Sequence, residues 1–457
     1  MKKSIRLRIT EPQLTEIKGY LYPGDSKESV AIVVCGVAES KGEIIFLVHE
    51  IVPFNLEEIK SRSKSHITWK TALLAEKLSE YIDGSYGILK IHSHPSGIET
   101  FSNADDISDK SLANTVHSWL GRENSFMSAI LLPDGVIKAR VFNQEKFEDV
   151  DDVLMVGDRI SPKIKNIGEL AEHEKRSHQV FGSETLSKLK KLRVGVIGCS
   201  GTGSLVIQQL LHYGVQSLTL IDPDIVEAKN LNRIVGATTG DVKNKSSKVD
   251  VFVRYANELG LGTTVNVMQE SIASRAAVDF LKGCDVLFSC VDDVYARQVI
   301  NRMGTYYLIP IIDVGVKILI DGNGGVEHVS ARADYILPGE SLHKRGIFNS
   351  SQLAAASMKA SNREEYRKQL DEGYLPGLPE EVPAVITPNS FAASFGILEL
   401  LNRLHGLRFG LDTEIVSLRM SLLDSYIEPI KSRGIDTSLV KKIGLGDQKV
   451  VLGYPSL

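Results

Sequence analysis

The stretch RVGVIGCSGTGSLVIQQLL, residues 193–211, combines a β-rich apolar run, a glycine-rich turn and an apolar helix in immediate succession. The turn contains Gly198, Gly201 and Gly203. Such a turn lets the backbone approach a nucleotide closely, and the N-terminus of the following helix favours the nucleotide's negative charge. The stretch therefore predicts a strand–turn–helix unit that holds a nucleotide.

Four more short β-rich runs follow along the chain, separated by helical patterns: SLTLID, TTVNVM, DVLFSC and LIPIID. Short β-rich runs that alternate with helices are typical of a parallel, doubly wound sheet. We therefore expect an α/β domain of the Rossmann-like class over residues 173–457.

The bulk composition limits the classes of function. A chain of 457 residues exceeds the usual size of one domain, so we expect two domains. The net charge of −4 provides no basic field for phosphate backbones, which argues against nucleic acid as a partner. Because no apolar run reaches the length of a membrane span, we expect no membrane partner and a cytoplasmic location.

Residues 1–145 follow a different rhythm from the rest of the chain. Apolar runs at residues 30–34 and 44–48 predict strands, and GILKIHSHP, residues 87–95, predicts a strand that runs into a loop. Strands mixed with a few helices predict an α+β domain over residues 1–145. The charge-rich residues 146–172 then predict a linker and a solvated helix.

Two histidines, a serine and an aspartate occur at fixed spacing in this first domain: His92, His94, Ser102 and Asp105. Side chains at positions i and i+2 of a strand share a face, so His92 and His94 provide two ligands on one side. Asp105 supplies a third ligand from the following turn or helix. A His₂Asp set with a fourth position open for water is typical of catalytic Zn²⁺, and Ser102 would donate a hydrogen bond to the oxyanion.

These four residues resemble the JAMM motif of the JAB/MPN metalloproteases, a family that includes deubiquitinases. The resemblance implies that a glutamate near the start of an early strand acts as general acid and base, and Glu28 stands at that position. Glu50, Glu57 and Glu58 are the reserve candidates. The alternative is a pair of ordinary strand-end histidines beside a helix N-cap, which makes the four-point spacing a coincidence.

A carboxylate and an arginine follow the glycine-rich turn at informative distances. Asp222 ends the next β-rich run, where a carboxylate binds ribose hydroxyls, and this position suits NAD as well as ATP. Arg233, eleven residues further on, distinguishes ATP from NAD as the expected ligand. An enzyme that forms an adenylate needs fixed cations for the charge that develops on the phosphates, whereas an NAD enzyme does not.

This block, with the later SCVDDVYAR, resembles the ThiF/MoeB family and the ubiquitin-activating enzymes that share its adenylation domain. The resemblance implies ATP and Mg²⁺ as cofactors, with Asn230 and Arg233 on the phosphates and Lys248 on the triphosphate. Asp292 would hold Mg²⁺ near the reacting carboxylate. Arg176 would reach the ATP of a partner subunit, because the family commonly forms homodimers.

Thiol transfer is the step for which this sequence lacks the expected residue. Family members that pass the activated protein to a thiol carry a cysteine after the sheet, and here no cysteine follows Cys290. Cys199, Cys284 and Cys290 have apolar surroundings that favour a packing role over catalysis. Direct transfer from AMP is one alternative, and an oxyester on a serine of a later loop is another. The candidate serines are Ser350, Ser351, Ser357 and Ser361.

The two motifs together predict a bifunctional enzyme of a bacterial ubiquitination-like system. We expect one domain to hydrolyse peptide or isopeptide bonds of a ubiquitin-like protein, and the other to adenylate its C-terminal glycine for a conjugating-type enzyme. Two alternatives remain open: a degenerate adenylation fold that recruits a ubiquitin-like protein to the protease, and adenylation of a sulfur-carrier protein.

Overall fold

The computed structural model describes the protein in two compact units. The first unit comprises Met1–Gly157, Tyr306–Leu308 and Lys442–Lys449, and the second comprises the remaining residues. No described helix is long and apolar enough to cross a membrane. The described residues are 3–40, 42–81, 86–121, 125–143, 146–161, 170–377, 383–408 and 414–454.

The first unit consists mainly of strands. Its strands are β1 (Ser4–Thr10), β2 (Val30–Ser40), β3 (Glu43–Pro53), β4 (Ile59–Arg62), β5 (Ile67–Trp69), β6 (Tyr86–Ser93), β7 (Phe126–Leu131), β8 (Ile137–Asn143), β9 (Lys146–Asp149) and β10 (Asp152–Val156). Its helices are α1 (Glu11–Leu21), α2 (Leu73–Lys77) and α3 (Asn103–Leu120), with 3-10 turns at Leu56–Glu58 and Ser79–Tyr81.

Eight of these strands form one mixed sheet in the order β10-β1-β3-β2-β6-β7-β8-β9. Alternate residues of β2 enter apolar clusters on opposite faces, for example Val33 with α1 on one face and Val34 with α3 on the other. Both faces of β2 are therefore covered, which explains its continuous apolar run. β2 pairs antiparallel with β6, and Val30 lies opposite His92.

The predicted linker over residues 146–172 is wrong in its first part. Residues 146–149 and 152–156 are the strands β9 and β10, and β10 pairs in parallel with β1. The acidic residues around this junction belong to the sheet rather than to a solvated linker, because Asp152 of β10 accepts a hydrogen bond from Arg6 at 2.9 Å. Residues 162–169 of the predicted linker lie outside the described residues.

The second unit alternates strands and helices in its first part. Its strands are β11 (Ile160–Ser161), β12 (Arg193–Ile197), β13 (Ser217–Ile221), β14 (Thr264–Met268), β15 (Val286–Ser289), β16 (Ile311–Ile320), β17 (Val326–Ile336), β18 (Ser417–Ser421) and β19 (Tyr426–Ile430). Its helices are α4 (Lys175–Lys191), α5 (Gly201–His212), α6 (Thr239–Asn244), α7 (Lys248–Leu259), α8 (Arg275–Leu281), α9 (Val294–Tyr307), α10 (Ser350–Ser361), α11 (Arg363–Asp371), α12 (Ile386–His405) and α13 (Thr437–Val440).

The sheet of the second unit has the order β14-β13-β12-β15-β16-β17-β18-β19. The first five strands of this order are parallel, and the remaining strands extend the sheet antiparallel. Each of these five parallel strands overlaps one of the five predicted β-rich runs, so the Rossmann-like α/β fold is confirmed. From β12 the chain continues to β13, which pairs with one edge of β12, whereas β15 pairs with the other edge of β12. A ligand crevice forms at such a reversal of strand order, beside the carboxyl ends of the strands.

Candidate functional sites

Three side chains converge at the end of β6. The Nε2 atoms of His92 and His94 lie 3.1 Å apart, and His92 Nε2 lies 3.2 Å from Asp105 Oδ1. Zinc–nitrogen bonds of about 2.0–2.1 Å give a tetrahedral edge of about 3.3 Å, so these separations fit one ion. Among the described residues, this is the group of three His, Cys, Asp or Glu side chains close enough to hold a metal. Its donor set fits Zn²⁺.

Hydrogen bonds orient two of these ligands. His94 Nδ1 lies 2.7 Å from the carbonyl oxygen of Ile98 and must donate to it, which leaves Nε2 as the ligand nitrogen. Asp105 Oδ2 accepts bonds from the backbone N–H of Ser102 at 2.8 Å and from its hydroxyl at 2.7 Å. Asp105 therefore offers Oδ1 to the cluster while Oδ2 caps α3.

The capping geometry changes the expectation for Ser102. Its hydroxyl donates to Asp105, and the same oxygen accepts the backbone N–H of Asp105 at 3.2 Å. This arrangement is a capping box, so the single hydroxyl proton is already engaged. The structure thus gives Ser102 a role in orienting the ligand Asp105, and the oxyanion role stays a prediction that needs this bond to break.

The protonation states also suit metal binding. Burial opposes ionisation of Asp105, but hydrogen bonds from His92 and Ser102 hold the pKa of its carboxyl well below the usual range. Burial, reinforced by the nearby charge of Lys90, lowers the pKa of His92 and keeps the imidazole neutral. A neutral imidazole and an ionised carboxylate are the forms that bind Zn²⁺.

Glu28 lies beside this cluster. The antiparallel register that places Val30 opposite His92 brings Glu28 level with His94 when it is continued for two residues. Glu28 is buried, and burial, with a smaller contribution from the Asp105 charge, raises the pKa of its carboxyl to about 7. This value suits a general base, and a bound cation would lower it.

The reserve glutamates are engaged elsewhere or exposed. Glu50 accepts a hydrogen bond from the hydroxyl of Tyr81. Glu58 accepts the backbone N–H of Asn55 at 2.8 Å and pairs with Lys77 at 3.0 Å. Glu57 is exposed. Glu28 is thus the buried member of these four glutamates, and its role as a base stays a prediction.

A cavity of about 670 Å³ opens at the carboxyl edge of the second sheet. It brings together most of the nucleotide-site residues expected from the sequence, which are Gly198, Gly201, Asp222, Asn230, Arg233, Lys248 and Asp292. Gly203 and Arg176 are not among the residues that line it. Arg176 lies on α4, and its predicted reach to a partner's ATP stays a prediction.

The glycines shape the wall of this cavity. Gly198 has a φ of +89°, and a Cβ there would lie 2.8 Å from the carbonyl oxygen of Cys290. A Cβ on Gly203 would lie 1.8 Å from the carbonyl oxygen of Gly198. Gly203 therefore serves the close packing of α5 on the turn, while Gly198 keeps the turn open toward the cavity.

Asp222 and Lys248 lie next to each other in the wall of the cavity. The two oxygens of Asp222 accept the backbone N–H groups of Cys199 at 2.7 Å and Asp224 at 3.0 Å. Burial raises the pKa of Asp222, and the charge of Lys248 opposes the rise. Lys248 Nζ lies 2.7 Å from Asp224 and 3.8 Å from Asp222, so a triphosphate must compete with these carboxylates.

Arg233 and Asn230 belong to one loop. The Arg233 guanidinium donates to the carbonyl oxygen of Lys229 at 2.8 Å and to Asn232 at 2.9 Å. Asn230 is buried, and its side-chain oxygen accepts the backbone N–H of Glu227 at 2.9 Å. In this conformation the Asn230 oxygen stabilises the turn, and only its amide nitrogen is left for a phosphate.

Two cavity residues were missed by sequence reasoning. Arg297 lines the cavity, pairs with Asp313 at 3.3 Å and donates to the carbonyl oxygen of Asp292 at 3.3 Å. Its signal was available, because it lies on the α9 turn that follows Asp292. Asn389 accepts a hydrogen bond from Thr202 at 3.2 Å, and only the folded sheet brings that distant helix to the glycine turn.

The four cysteines are poor nucleophiles in this structure. Burial raises the pKa of Cys35, Cys199 and Cys290, and Cys284 is buried. The four candidate serines lie on α10, where Ser350 Oγ is 3.0 Å from Nε2 of His343. Neither residue of this pair lines the cavity. Transfer to a serine stays a prediction.

Comparison with known proteins finds a family and several proteins that are similar to part of the second unit. The ThiF family model matches residues 173–328. The adenylyltransferase and sulfurtransferase UBA4 of Meyerozyma guilliermondii is 28% identical over 149 residues, covering 31% of this chain and 34% of that protein. The tRNA threonylcarbamoyladenosine dehydratase of Haemophilus influenzae is 27% identical, with 30% and 52% covered. The SAMP-activating enzyme E1 of Haloferax volcanii is 30% identical, with 29% and 48% covered.

The chain thus spans between a third and about half of the length of these relatives. The family match begins at residue 173, so the JAB/MPN resemblance of the first unit rests on that unit's own residues. Residues 173–328 thus match the ThiF family, and they lie on a Rossmann-like fold.

Proposed function

We propose that the second unit binds ATP with Mg²⁺ and transfers AMP to the C-terminal carboxylate of a small ubiquitin-like or sulfur-carrier protein. The observation that carries this proposal is one cavity whose lining includes the glycine turn, a buried carboxylate and three of its cationic side chains. Those charged residues are Asp222, Arg233, Lys248 and Arg297.

The adenylation step can be assigned to these residues. A carboxylate oxygen of the incoming protein attacks the α-phosphorus of ATP, the bond to pyrophosphate breaks, and an acyl adenylate forms. Arg233 and Lys248 stabilise the charge that moves onto the phosphates, and Asp222 accepts the ribose hydroxyls. Mg²⁺ would screen the triphosphate, with Asp292 as its protein ligand.

The names of the relatives support adenylation more strongly than any one substrate. Two of them are named as an adenylyltransferase and an activating enzyme, and the third is named as a dehydratase. ATP–pyrophosphate exchange should therefore be measured with a ubiquitin-like protein ending in glycine and with a truncation lacking that glycine. Exchange only with the intact tail supports the proposal. Exchange with neither favours the recruiting scaffold.

A second activity is favoured for the first unit by the convergence of His92, His94 and Asp105. We infer that this cluster holds Zn²⁺ for hydrolysis of a peptide or isopeptide bond next to a ubiquitin-like C-terminus. Zn²⁺ there would polarise the scissile carbonyl and lower the pKa of water. Glu28 removes a proton from the attacking water and delivers it to the leaving amine as the carbon–nitrogen bond breaks.

The two activities fit a sequence of reactions on one partner. Hydrolysis exposes a C-terminal glycine, or later removes the modifier, and adenylation activates that glycine. A conjugating-type enzyme and a homodimer complete the scheme as further proposals. The test of the first unit is elemental analysis of the purified protein together with cleavage of a ubiquitin–peptide fusion. One Zn²⁺ per chain with cleavage that a chelator stops supports it, and a chain that takes up no Zn²⁺ contradicts it.

A further inference from the structure

Arg62, at the end of β4, reaches from a small hairpin to the segment that carries Glu28. The hairpin of β4 and β5 forms a separate two-stranded sheet. We propose that Arg62 is a positioning residue that fixes the general base Glu28 against the metal-binding end of β6. This inference rests on the proposed zinc hydrolysis and names a residue that the JAMM motif does not contain.

The Arg62 guanidinium binds the segment on both sides of Glu28. Its Nε donates to the carbonyl oxygen of Glu28 at 3.0 Å. Its Nη2 donates to the carbonyl oxygen of Lys27 at 3.1 Å and to the carboxylate of Asp25 at 3.0 Å. The same Nη2 lies 2.7 Å from the hydroxyl oxygen of Ser29. One side chain therefore binds four residues of the segment from Asp25 to Ser29.

The hairpin backbone adds a further bond to the same residue. The N–H of Glu28 donates to the carbonyl oxygen of Ser63 at 2.8 Å. Both backbone polar groups of Glu28 thus bind the hairpin, its N–H through Ser63 and its carbonyl through Arg62. Because the backbone is held on both sides, the Cα–Cβ bond of Glu28 points in a fixed direction, from which the side chain adopts one of a few staggered rotamers.

Ser29 extends this network to the metal ligands. Its N–H donates to the hydroxyl of Ser93 at 2.9 Å, and the N–H of Ser93 donates to the carbonyl oxygen of Ser29 at 3.0 Å. Ser93 lies between His92 and His94 in the sequence. Arg62 therefore connects the base and the ligand strand through one shared serine, and a shift of the hairpin moves the base relative to the metal.

An arginine suits this position better than a lysine. The side chain of Arg62 is 10% exposed, so its bonds are sheltered from water. A planar guanidinium offers donors in several fixed directions, whereas a lysine ammonium on a flexible stem holds fewer partners at once. Displacement of a reacting group by about 1 Å costs up to about 100-fold in rate.

The test compares Arg62→Ala and Arg62→Lys with the unmodified zinc-loaded protein. Lys60→Ala is the matched control, since Lys60 is an exposed residue of the same strand. Hydrogen exchange of residues 25–31 is measured first, because it needs no substrate. Zinc content and the cleavage of a ubiquitin–peptide fusion, with kcat and KM separated, are measured next.

We expect Arg62→Ala to accelerate exchange in residues 25–31 about 10-fold or more, since it frees the loop. The zinc content and KM should stay unchanged while kcat falls by about 10- to 100-fold, because the base is misplaced and the metal is not. Arg62→Lys should recover part of kcat, guanidinium ion should partly restore Arg62→Ala, and Lys60→Ala should match the unmodified protein.

The outcomes separate this inference from the proposed function. Unchanged exchange in Arg62→Ala contradicts the positioning role whatever the enzyme does. Faster exchange with an unchanged kcat also overturns it. If the unmodified zinc-loaded protein cleaves nothing although exchange responds to Arg62, the hydrolase proposal fails and the catalytic part of this inference falls with it. Loss of zinc in Arg62→Ala would show a general structural role instead.

Discussion

The metal cluster and the nucleotide cavity are built in opposite ways. The ligands of the cluster all come from His92 to Asp105, a strand end and the start of the next helix. The cavity draws on residues from Ile197 to Asn389, which lie on separate strands, loops and helices. A site encoded in one short segment brings its own geometry, whereas a dispersed site exists only after the whole sheet has formed.

The polar groups of the two sites are also satisfied differently. In the cluster, Ser102 and Ile98 bind the ligands from outside and leave one atom of each free for a metal. In the cavity, two of the cations are paired with the protein's own carboxylates, Lys248 with Asp224 and Arg297 with Asp313. The cluster could therefore take up the proposed ion without breaking these bonds, whereas the proposed triphosphate would have to replace ion pairs of the cavity.

The largest effect expected from this difference is a complete and separable loss at the cluster. Asp105→Ala removes a ligand that no other described residue replaces, so zinc binding and cleavage should fall below detection. ATP–pyrophosphate exchange should stay within about twofold, because that site shares none of these residues. Both activities should be measured on one preparation. Loss of both would contradict two independent sites.

The next effect concerns a cation of the cavity. Arg233→Ala should lower pyrophosphate exchange by about 100-fold, the usual cost of one donor to a developing charge. Zinc content and cleavage should not change. Arg275→Ala is the control, since Arg275 is an exposed arginine 3.6 Å from Asp279 outside the cavity. Full exchange activity in Arg233→Ala would refute this assignment of the phosphate site.

A variant of Arg297 tests whether ion pairs hold the residues of the cavity in place. Arg297 holds the Asp292 carbonyl and pairs with the buried Asp313, so it supports the loop that carries the predicted Mg²⁺ ligand. Arg297→Lys should keep the charge and lose this geometry, lowering exchange by about 10-fold. The loss should shrink at high Mg²⁺ concentration, as measured by exchange over a Mg²⁺ titration. A loss of exchange activity that does not depend on the Mg²⁺ concentration would indicate that Arg297 contacts the substrate carboxylate instead.

The same contrast explains what the sequence could and could not predict. The spacing of His92, His94 and Asp105 was enough to predict that these side chains converge, because strand and helix-cap geometry are local. The five parallel strands were equally predictable from their apolar runs. Asn389 was not, since its position at the glycine turn depends on the packing of α12. The strand β10 was mistaken for a linker because its partner, β1, lies at the other end of the domain's sequence.

The last predicted effect is a difference in stability between pH 5 and pH 8 in the zinc-free protein. Burial and the Asp105 charge raise the pKa of Glu28 from 4.5 to about 7, so the folded state holds this proton more tightly than the unfolded chain. The stabilisation is complete below about pH 4.5 and is lost as pH rises through about 7.

Replacing Glu28 by Gln removes this titration. Urea unfolding at pH 5 and pH 8 should therefore show a drop in the free energy of unfolding that is about 2–3 kcal/mol larger in the unmodified protein than in Glu28→Gln. Zinc should abolish the difference, because a cation beside the carboxylate favours its charged form. An equal drop in both proteins would mean that Glu28 is solvated rather than enclosed beside Asp105. Glu28 would then lack the buried environment that distinguishes this cluster from the cavity of the second unit.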